Sequence, residues 1–315
     1  MLKTCDIPTA ARYIQEGKLV AFPTETVYGL GADALKPLAV AKIFEMKQRP
    51  SFDPLIVHIA EINDIGKLTH PPDNRIFQLA ERFWPGPLTL VVPKSSLVPD
   101  IVTSGLPTVG IRIPDHPIAL SLIKASRCPI AAPSANKFGR ISPTSARHVF
   151  KQLPEVDCVL DGGKTRVGIE STIIRLTEKG FVILRNGIIT REEIESPLPY
   201  DPDETQFALS APGMMNSHYS PGKRMRITTP DLLSIADKNK TGLISFTGNM
   251  ETGFQKVIRV SWTGDIREYA VHLFGALHTF EEDPEIDLIL AEPVPDAGIG
   301  IAIMDRLRKA EYNWR

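Results

Sequence analysis

Residues 19–59 read LVAFPTETVYGLGADALKPLAVAKIFEMKQRPSFDPLIVHI, and this stretch decides the fold class. The apolar run 19–22 predicts a short strand, and residues 37–49 have the spacing of a helix with Pro37 in its first turn. A second apolar run, 54–59, predicts another strand. A strand, a helix and a strand in succession are typical of an α/β sheet.

The same alternation continues through the first two hundred residues. Two apolar runs, 169–176 and 181–187, are separated by TEKG and predict an antiparallel hairpin. The other predicted elements are strands at 87–92, 108–113 and 128–132 and helices at 73–83 and 115–126. Together these elements predict a mixed α/β sheet.

The character of the chain changes between residues 196 and 224, which hold five prolines and few aliphatic side chains. A long structureless loop is uncommon inside a compact domain, so this stretch is predicted to be a linker without core residues. A smaller α/β unit follows, with strands near 242–246, 256–260 and 286–291 and helices near 265–281 and 299–310. We predict a main domain at 1–200, a linker at 201–224 and a C-terminal domain at 225–315.

Composition excludes several classes of protein. Lys and Arg number 36 against 37 Asp and Glu, which leaves no basic surplus for a duplex-DNA binder. No apolar stretch approaches the roughly 20 residues of a membrane span, and the N-terminus lacks the pattern of a signal peptide. The three cysteines, Cys5, Cys128 and Cys158, are far apart, which is typical of a reducing compartment. We expect a cytoplasmic protein.

Two glycine patterns do not predict nucleotide loops. GLGADA, 29–34, has Ala34 where the dinucleotide fingerprint needs glycine. GGKT, 162–165, has Cys158 at the first glycine of a P-loop, and no helix-forming segment follows it. The seven histidines show no metal-ligand spacing, so no protein-held metal is predicted.

Four clusters of polar residues remain as candidates for chemistry, at 22–31, 47–58, 108–114 and 131–149. Each has a plain structural alternative: a polar turn, a capped helix end, a solvated strand face or a surface loop. In the second cluster Lys47 and Arg49 form a candidate phosphate clamp, and Arg112 is a candidate ligand for a carboxylate. Together the four clusters supply cations, hydroxyls and an amide, but no evident covalent nucleophile. This set of groups favours nucleotidyl or phosphoryl transfer.

The motifs in combination resemble the YrdC-like threonylcarbamoyl-adenylate synthases. The resemblance lies in PTETVYGLG, the K-x-R at 47–49, VGIRIP, PSAN at 133–136 and SPT at 142–144. GIESTII, LRNG and APGMMNSHYSP resemble the longer, two-domain form of the family. The resemblance implies a twisted open α/β sheet with a concave ligand-binding face, then a smaller Rossmann-like C-terminal domain. It also implies that the linker closes over the active site.

The implied activity is that of a nucleotidyltransferase. Such an enzyme forms threonylcarbamoyl-AMP and diphosphate from L-threonine, bicarbonate and ATP, the first step in modifying an adenosine beside the tRNA anticodon. Mg²⁺ is expected to accompany ATP, because that ion prefers phosphates and waters to protein cages. The implied partners are the tRNA threonylcarbamoyl-transfer machinery downstream and, weakly, RNA, but no membrane.

The resemblance also assigns residues to roles. It implies a catalytic tetrad of Lys47, Arg49, Ser134 and Asn136. The implied threonine-binding positions are Thr26, His58, Arg112, Ala132, Ser171 and Thr172. The implied ATP-binding positions are Lys47, Arg49, Asp53, Thr108, Ser134, Ser142, Arg185 and Tyr219. Asp53 departs from the family, which usually has Asn there; we expect either that it lies near magnesium or that its role differs.

Two other functions stay open at this point. A concave sheet with a basic rim would also suit an RNA-binding module, which predicts salt-dependent RNA affinity and no ATP turnover. Related domains in hydrogenase maturation proteins transfer carbamoyl groups to other substrates. Those proteins carry acylphosphatase-like or zinc segments that this sequence does not contain.

Overall fold

The computed structural model describes residues 4–70, 73–195, 198–202, 212, 218–248 and 253–312. A mixed sheet of nine strands forms the first part of the chain, and a parallel sheet of four strands forms the second. The predicted mixed α/β sheet and the smaller α/β unit are therefore confirmed. The boundaries at residues 200 and 224 stay predictions.

The large sheet contains β1 (Val20–Phe22), β2 (Gly29–Asp33), β3 (Ile56–His58), β4 (Leu88–Pro93), β5 (Thr108–Arg112), β6 (Ile130–Ala131), β7 (Cys158–Val159), β8 (Thr172–Leu176) and β9 (Phe181–Arg185). Their order is β7-β1-β2-β6-β3-β5-β4-β8-β9. The helices are α1 (Ile7–Gln15), α2 (Pro37–Lys47), α3 (Ile65–Leu68), α4 (Asn74–Phe83), α5 (Asp100–Thr103), α6 (Pro117–Ser126), α7 (Ala146–Gln152) and α8 (Arg191–Glu195). The hairpin predicted from residues 169–187 is the antiparallel pair β8–β9.

The small sheet contains β10 (Arg224–Ile227), β11 (Thr241–Ser245), β12 (Lys256–Arg259) and β13 (Leu288–Ala291), in the order β10-β13-β11-β12. Its helices are α9 (Pro230–Ile235), α10 (Ile266–Glu282) and α11 (Ile299–Glu311). Helix α11 begins at the GIGIAI segment, where a Cβ on Gly300 would lie 1.9 Å from the carbonyl oxygen of Pro295. Only glycine fits at that contact. Strand β10 and helix α9 were not predicted from the sequence.

No strand was predicted at residues 29–33, and the structure has strand β2 there. It pairs antiparallel with β1, and Val20 faces Gly31. A Cβ on Gly31 would lie 2.7 Å from the Phe22 ring and 2.8 Å from Ile130. Glycine is therefore required by close packing, although glycine is depleted in strands and hides the strand signal.

The linker also differs from its prediction. Tyr219 is fully buried and packs in one apolar cluster with Phe274 of α10 and with Ile141 and Ile169 of the main domain. The cluster therefore joins the two parts of the chain through the linker. The expectation that this stretch contributes nothing to a core was wrong for Tyr219, while residues 203–211 and 213–217 lie outside the described ranges.

Two of the three cysteines are paired. Cys5 and Cys158 form a disulfide with 6.0 Å between their Cα atoms, which ties the N-terminal segment to β7. The sequence argument, which took cysteine usage as typical of a reducing compartment, did not predict this bond. Cys128 is free and half-buried. Within the described ranges, no helix is long and apolar enough to cross a membrane.

Candidate active site

A cavity opens where the loops of the large sheet meet the linker. Nine predicted site residues line it: Thr26, Arg49, His58, Arg112, Ala132, Ser134, Ser171, Arg185 and Tyr219. Glu170 and His218 also line it and were not predicted. Thr108 lines a smaller neighbouring cavity, and the other predicted residues are not part of either lining: Lys47, Asp53, Asn136, Ser142 and Thr172. The arrangement thus brings most of the candidates to one place.

The register of two strands places His58 beside Arg112. Strands β3 and β5 are parallel, and His58 and Arg112 face each other at their ends. Arg112 Nε donates to His58 Nε2 at 3.0 Å, so that nitrogen must be the unprotonated one. Burial and the neighbouring guanidinium hold the pKa of His58 well below its usual value. His58 is therefore neutral at pH 7.

Arg112 also carries a buried ion pair. Its Nη1 donates to Glu25 Oε1 at 2.8 Å, and its Nη2 donates to Thr26 Oγ1 at 3.2 Å. The other oxygen of Glu25 accepts from the backbone N–H of Asp115 at 3.2 Å. Glu25 lies within the first polar cluster of the sequence but was not singled out there, because nothing local marks it as a partner of Arg112.

Lys47 stabilises the loop that contributes Ser134 to the cavity lining. It is almost fully buried at the end of α2, and its Nζ donates to the carbonyl oxygens of Ser134, at 2.6 Å, and Asn136. Burial and nearby Arg49 hold the pKa of Lys47 well below its usual value. These hydrogen bonds stabilise the loop that contains Ser134.

Arg49 reaches the cavity, and Asp53 is its partner. Arg49 Nη2 lies 2.9 Å from Asp53 Oδ1, and its guanidinium also donates to the carbonyl oxygens of Asp53 and Pro54. Burial raises the pKa of Asp53, and the charge of Arg49 opposes that shift. Asp53 is thus paired with Arg49, and the two roles considered for this departure from the family stay predictions.

Arg185, at the end of β9, also reaches the cavity. Its Nε donates to the carbonyl oxygen of Ser171 at 3.1 Å, and its Nη2 donates to Ser171 Oγ at 3.0 Å. The hydroxyl of Ser171 also lies 2.8 Å from that of Thr89. Thr172, by contrast, donates its hydroxyl to the carbonyl of Ile189 within the structure. Ser171 is therefore the one of the pair that faces the cavity.

The lining is positive in character. Three arginines, Arg49, Arg112 and Arg185, face the cavity, and Glu170 is the only carboxylate among its described lining residues. The linker residues His218 and Tyr219 complete the wall, and burial lowers the pKa of the first and raises that of the second. Such a lining is suited to a ligand with separate anionic groups. In the described ranges no three His, Cys, Asp or Glu side chains come together as a metal site.

Fold and lining define a two-domain α/β protein with a cavity lined by three arginines and by residues of the linker. Two family models match the chain: the Sua5, YciO and YrdC model, described as telomere recombination, over residues 12–187, and the model described as the C-terminal domain of threonylcarbamoyl-AMP synthase over residues 189–311. The chain belongs to this family, the threonylcarbamoyl-AMP synthases.

Curated relatives and solved structures agree with this assignment. The chain is 45% identical to the threonylcarbamoyl-AMP synthase of Pyrococcus abyssi over 96% of this chain and 93% of the relative. It is 43% identical to that of Bacillus subtilis, over 96% and 92% respectively. The structure of P. abyssi Sua5 complexed with L-threonine aligns with a TM-score of 0.88 at 44% identity, covering 97% of this chain and 94% of that one.

More distant structures share the fold alone. Escherichia coli YciO aligns with a TM-score of 0.51 at 22% identity, covering 60% of this chain and 94% of that one. A full-length HypF aligns with a TM-score of 0.52 at 19% identity, over 60% of this chain and 31% of that chain. Neither likeness carries an activity over to this chain.

Proposed function

We propose that this chain forms threonylcarbamoyl-AMP from L-threonine, bicarbonate and ATP, with release of diphosphate and water. The observation that supports it most is the cavity under the linker, where three buried arginines, Arg49, Arg112 and Arg185, converge in a chain of this family. Both an amino acid and a triphosphate carry anionic groups that arginine forks bind well.

We propose that threonine binds at the end of the β3–β5 strand pair. Arg112 offers a guanidinium for the carboxylate, but Glu25 already occupies one side of it. We propose that Glu25, Thr26 and His58 fix the plane of the guanidinium, and that the second N–H groups of Nη1 and Nη2 bind the substrate. Thr26, Ala132 and Ser171, which line the same cavity, supply polar and backbone contacts to the rest of the amino acid.

We propose that ATP binds in the rest of the cavity. Arg49 and Arg185 neutralise charge on the triphosphate, and Ser134 faces the same space. Lys47 and Asn136 act through the loop they hold, and Tyr219 closes the cavity from the linker. The lining, three arginines with a single carboxylate, suits a Mg²⁺ ion held chiefly by phosphates and waters, and that ion supplies further charge neutralisation when bound.

The chemistry then follows from position. The threonine nitrogen and bicarbonate form a carbamate with loss of water, and a carbamate oxygen attacks the α-phosphorus while the bond to diphosphate breaks. The residues contribute by alignment and by charge, which are the main sources of catalysis in such transfers. Exclusion of water by the linker protects the carbamate, which decomposes in solution. We propose the cytoplasm as the compartment, because ATP and tRNA are found there.

Labelled substrates test this proposal directly. The purified chain is incubated with radiolabelled bicarbonate, ATP and Mg²⁺ and with each amino acid in turn. We expect a labelled adenylate only with threonine, together with an equal amount of diphosphate. A control without ATP accounts for carbamate formed without the enzyme. Label in the adenylate of another amino acid, or none with threonine, contradicts the proposal.

A further inference from the structure

Arg306 is the largest side chain that is completely buried in the described ranges, and it belongs to the C-terminal domain. It lies on α11, two residues from Arg308, whose side chain is 46% exposed. A charged group is buried at considerable cost unless its partners are well placed. The contacts of Arg306 therefore show what this charge is used for.

Two of these contacts cross into the main domain. Arg306 Nε donates to Glu170 Oε2 at 3.2 Å, and Nη1 donates to the carbonyl oxygen of Asn186 at 2.6 Å. Asn186 directly follows Arg185, and Glu170 directly precedes Ser171. Arg185, at the end of strand β9, and Ser171, just before β8, both line the cavity. Arg306 thus contacts the residue next to each of them.

Glu170 is hydrogen-bonded to Ser142 as well as to Arg306. Its second carboxylate oxygen accepts from Ser142 Oγ at 2.5 Å. The backbone carbonyl of Ser142 is in turn 3.1 Å from His278 Nε2 on α10, which must donate because a carbonyl can only accept. Two helices of the C-terminal domain therefore hold Ser142: α11 through its side chain, by way of Glu170, and α10 through its backbone.

Arg306 also holds Tyr219 of the linker. The guanidinium lies 5.4 Å from the centre of the Tyr219 ring, which also stacks with the ring of Phe274 at 5.4 Å and contacts the ring of His218 at 4.1 Å. Tyr219 has a backbone φ of 62°, in the left-handed region that a non-glycine residue rarely adopts. The cation and the aromatic rings that contact its side chain stabilise a conformation that the backbone alone disfavours.

We propose that Arg306 is a positioning residue for the nucleotide end of the active site. It orients Ser142 through Glu170 and fixes Tyr219 over the cavity, so the C-terminal domain takes part in ATP binding. This inference rests on the proposed function, because it assumes that ATP lies beside Ser142 and Tyr219. It predicts a selective effect, since none of these contacts reaches Arg112 or His58.

The test compares Arg306→Lys with Arg308→Met on the same helix. Lysine keeps the charge but cannot span Glu170 and the Asn186 carbonyl or stack as a plane on Tyr219. We expect Arg306→Lys to raise the KM for ATP about tenfold or more and to leave the KM for threonine within about twofold. Arg308→Met should change neither constant. An equal rise in both constants, or no rise for ATP, overturns the proposal.

A double-mutant cycle with Ser142→Ala tests the route through Glu170. If Arg306 acts on Ser142, the Ser142→Ala change adds little to the ATP defect of Arg306→Lys. Effects that multiply in full contradict that route. Threonine adenylation by the unaltered chain is measured alongside, so that failure of the proposed function is seen separately from failure of this inference.

A variant that does not fold is replaced by a second one. The pair Arg306→Met and Glu170→Met removes both buried charges together, a change that is often neutral for stability. This double variant should show the same selective rise in the KM for ATP. A folded double variant with an unchanged KM for ATP overturns the proposal.

Discussion

The two walls of the cavity are built in different ways. The strand-end wall, His58 and Arg112, comes from neighbouring strands whose register alone brings the two side chains together. The loop wall, Ser134, Glu170 and Tyr219, comes from two loops and the linker, and it is held by contacts from distant segments. A regular sheet therefore provides one wall, while the other depends on long-range support and should fail when a single support is removed.

The largest effect is expected from breaking the loop wall with Lys47→Ala. This change leaves the buried carbonyls of Ser134 and Asn136 without their donor. We expect diphosphate release with threonine and bicarbonate to fall by about a thousandfold or more. The matched control is Lys42→Ala, an exposed residue of the same helix. Undiminished diphosphate release by Lys47→Ala would show that Lys47 is not needed for the reaction.

Arg112→Ala breaks the strand-end wall instead. It removes the proposed carboxylate ligand, so the KM for threonine should rise by about a hundredfold while the KM for ATP changes little. Because Glu25 is left as a buried charge without its partner, the free energy of unfolding should also fall, by about 3–5 kcal/mol. Both constants are measured beside those of Arg127→Ala, an exposed arginine. Equal effects of Arg112→Ala on the two substrates would refute its assignment.

The sequence predicted the strand-end wall better than the loop wall, for a physical reason. Arg112 and His58 lie in apolar strand runs, where a polar residue stands out and a parallel register places it. Glu170 has no such local signal, since its partners are 28 and 136 residues away. Strand β2 and the buried Tyr219 were misjudged for a related reason, because close packing and the other domain decide their environment.

Asp53→Asn sharpens the comparison by a smaller change. Asparagine keeps the shape of the side chain but removes the carboxylate that pairs with Arg49. With less negative charge beside the proposed triphosphate, the KM for ATP should fall by about two- to fivefold, with the KM for threonine unchanged. Asp64→Asn, in an exposed pair with Lys67, is the control. A rise in the KM for ATP would show that Asp53 supports binding.

The smallest effect concerns acid stability at the junction of the domains. His148 and His278 stack with 3.8 Å between ring centres, and burial lowers their pKa values to about 4 and about 3. Unfolding raises both values toward about 6.5, so the unfolded chain binds more protons and the free energy of unfolding falls as the pH drops from about 6.5 to 4. Glu282 opposes the shift at His148.

His148→Phe tests this junction because it keeps a ring in the stack and removes one titrating group. Urea unfolding between pH 7 and 5 should give a shallower pH dependence, by up to about 1.4 kcal/mol per pH unit. Replacement of the exposed His70 with Ala is the control and should leave the slope as it is. Identical slopes for His148→Phe and the unaltered chain would exclude this pair as a source of acid sensitivity.

The central claim is that one cavity seats both substrates, with each wall holding one of them. The most direct measurement is a crystal structure with L-threonine and a non-hydrolysable ATP analogue bound together. We expect the threonine carboxylate within hydrogen-bond distance of Arg112 and the phosphates beside Arg49 and Arg185, under Tyr219. Both molecules bound outside this cavity would contradict the account.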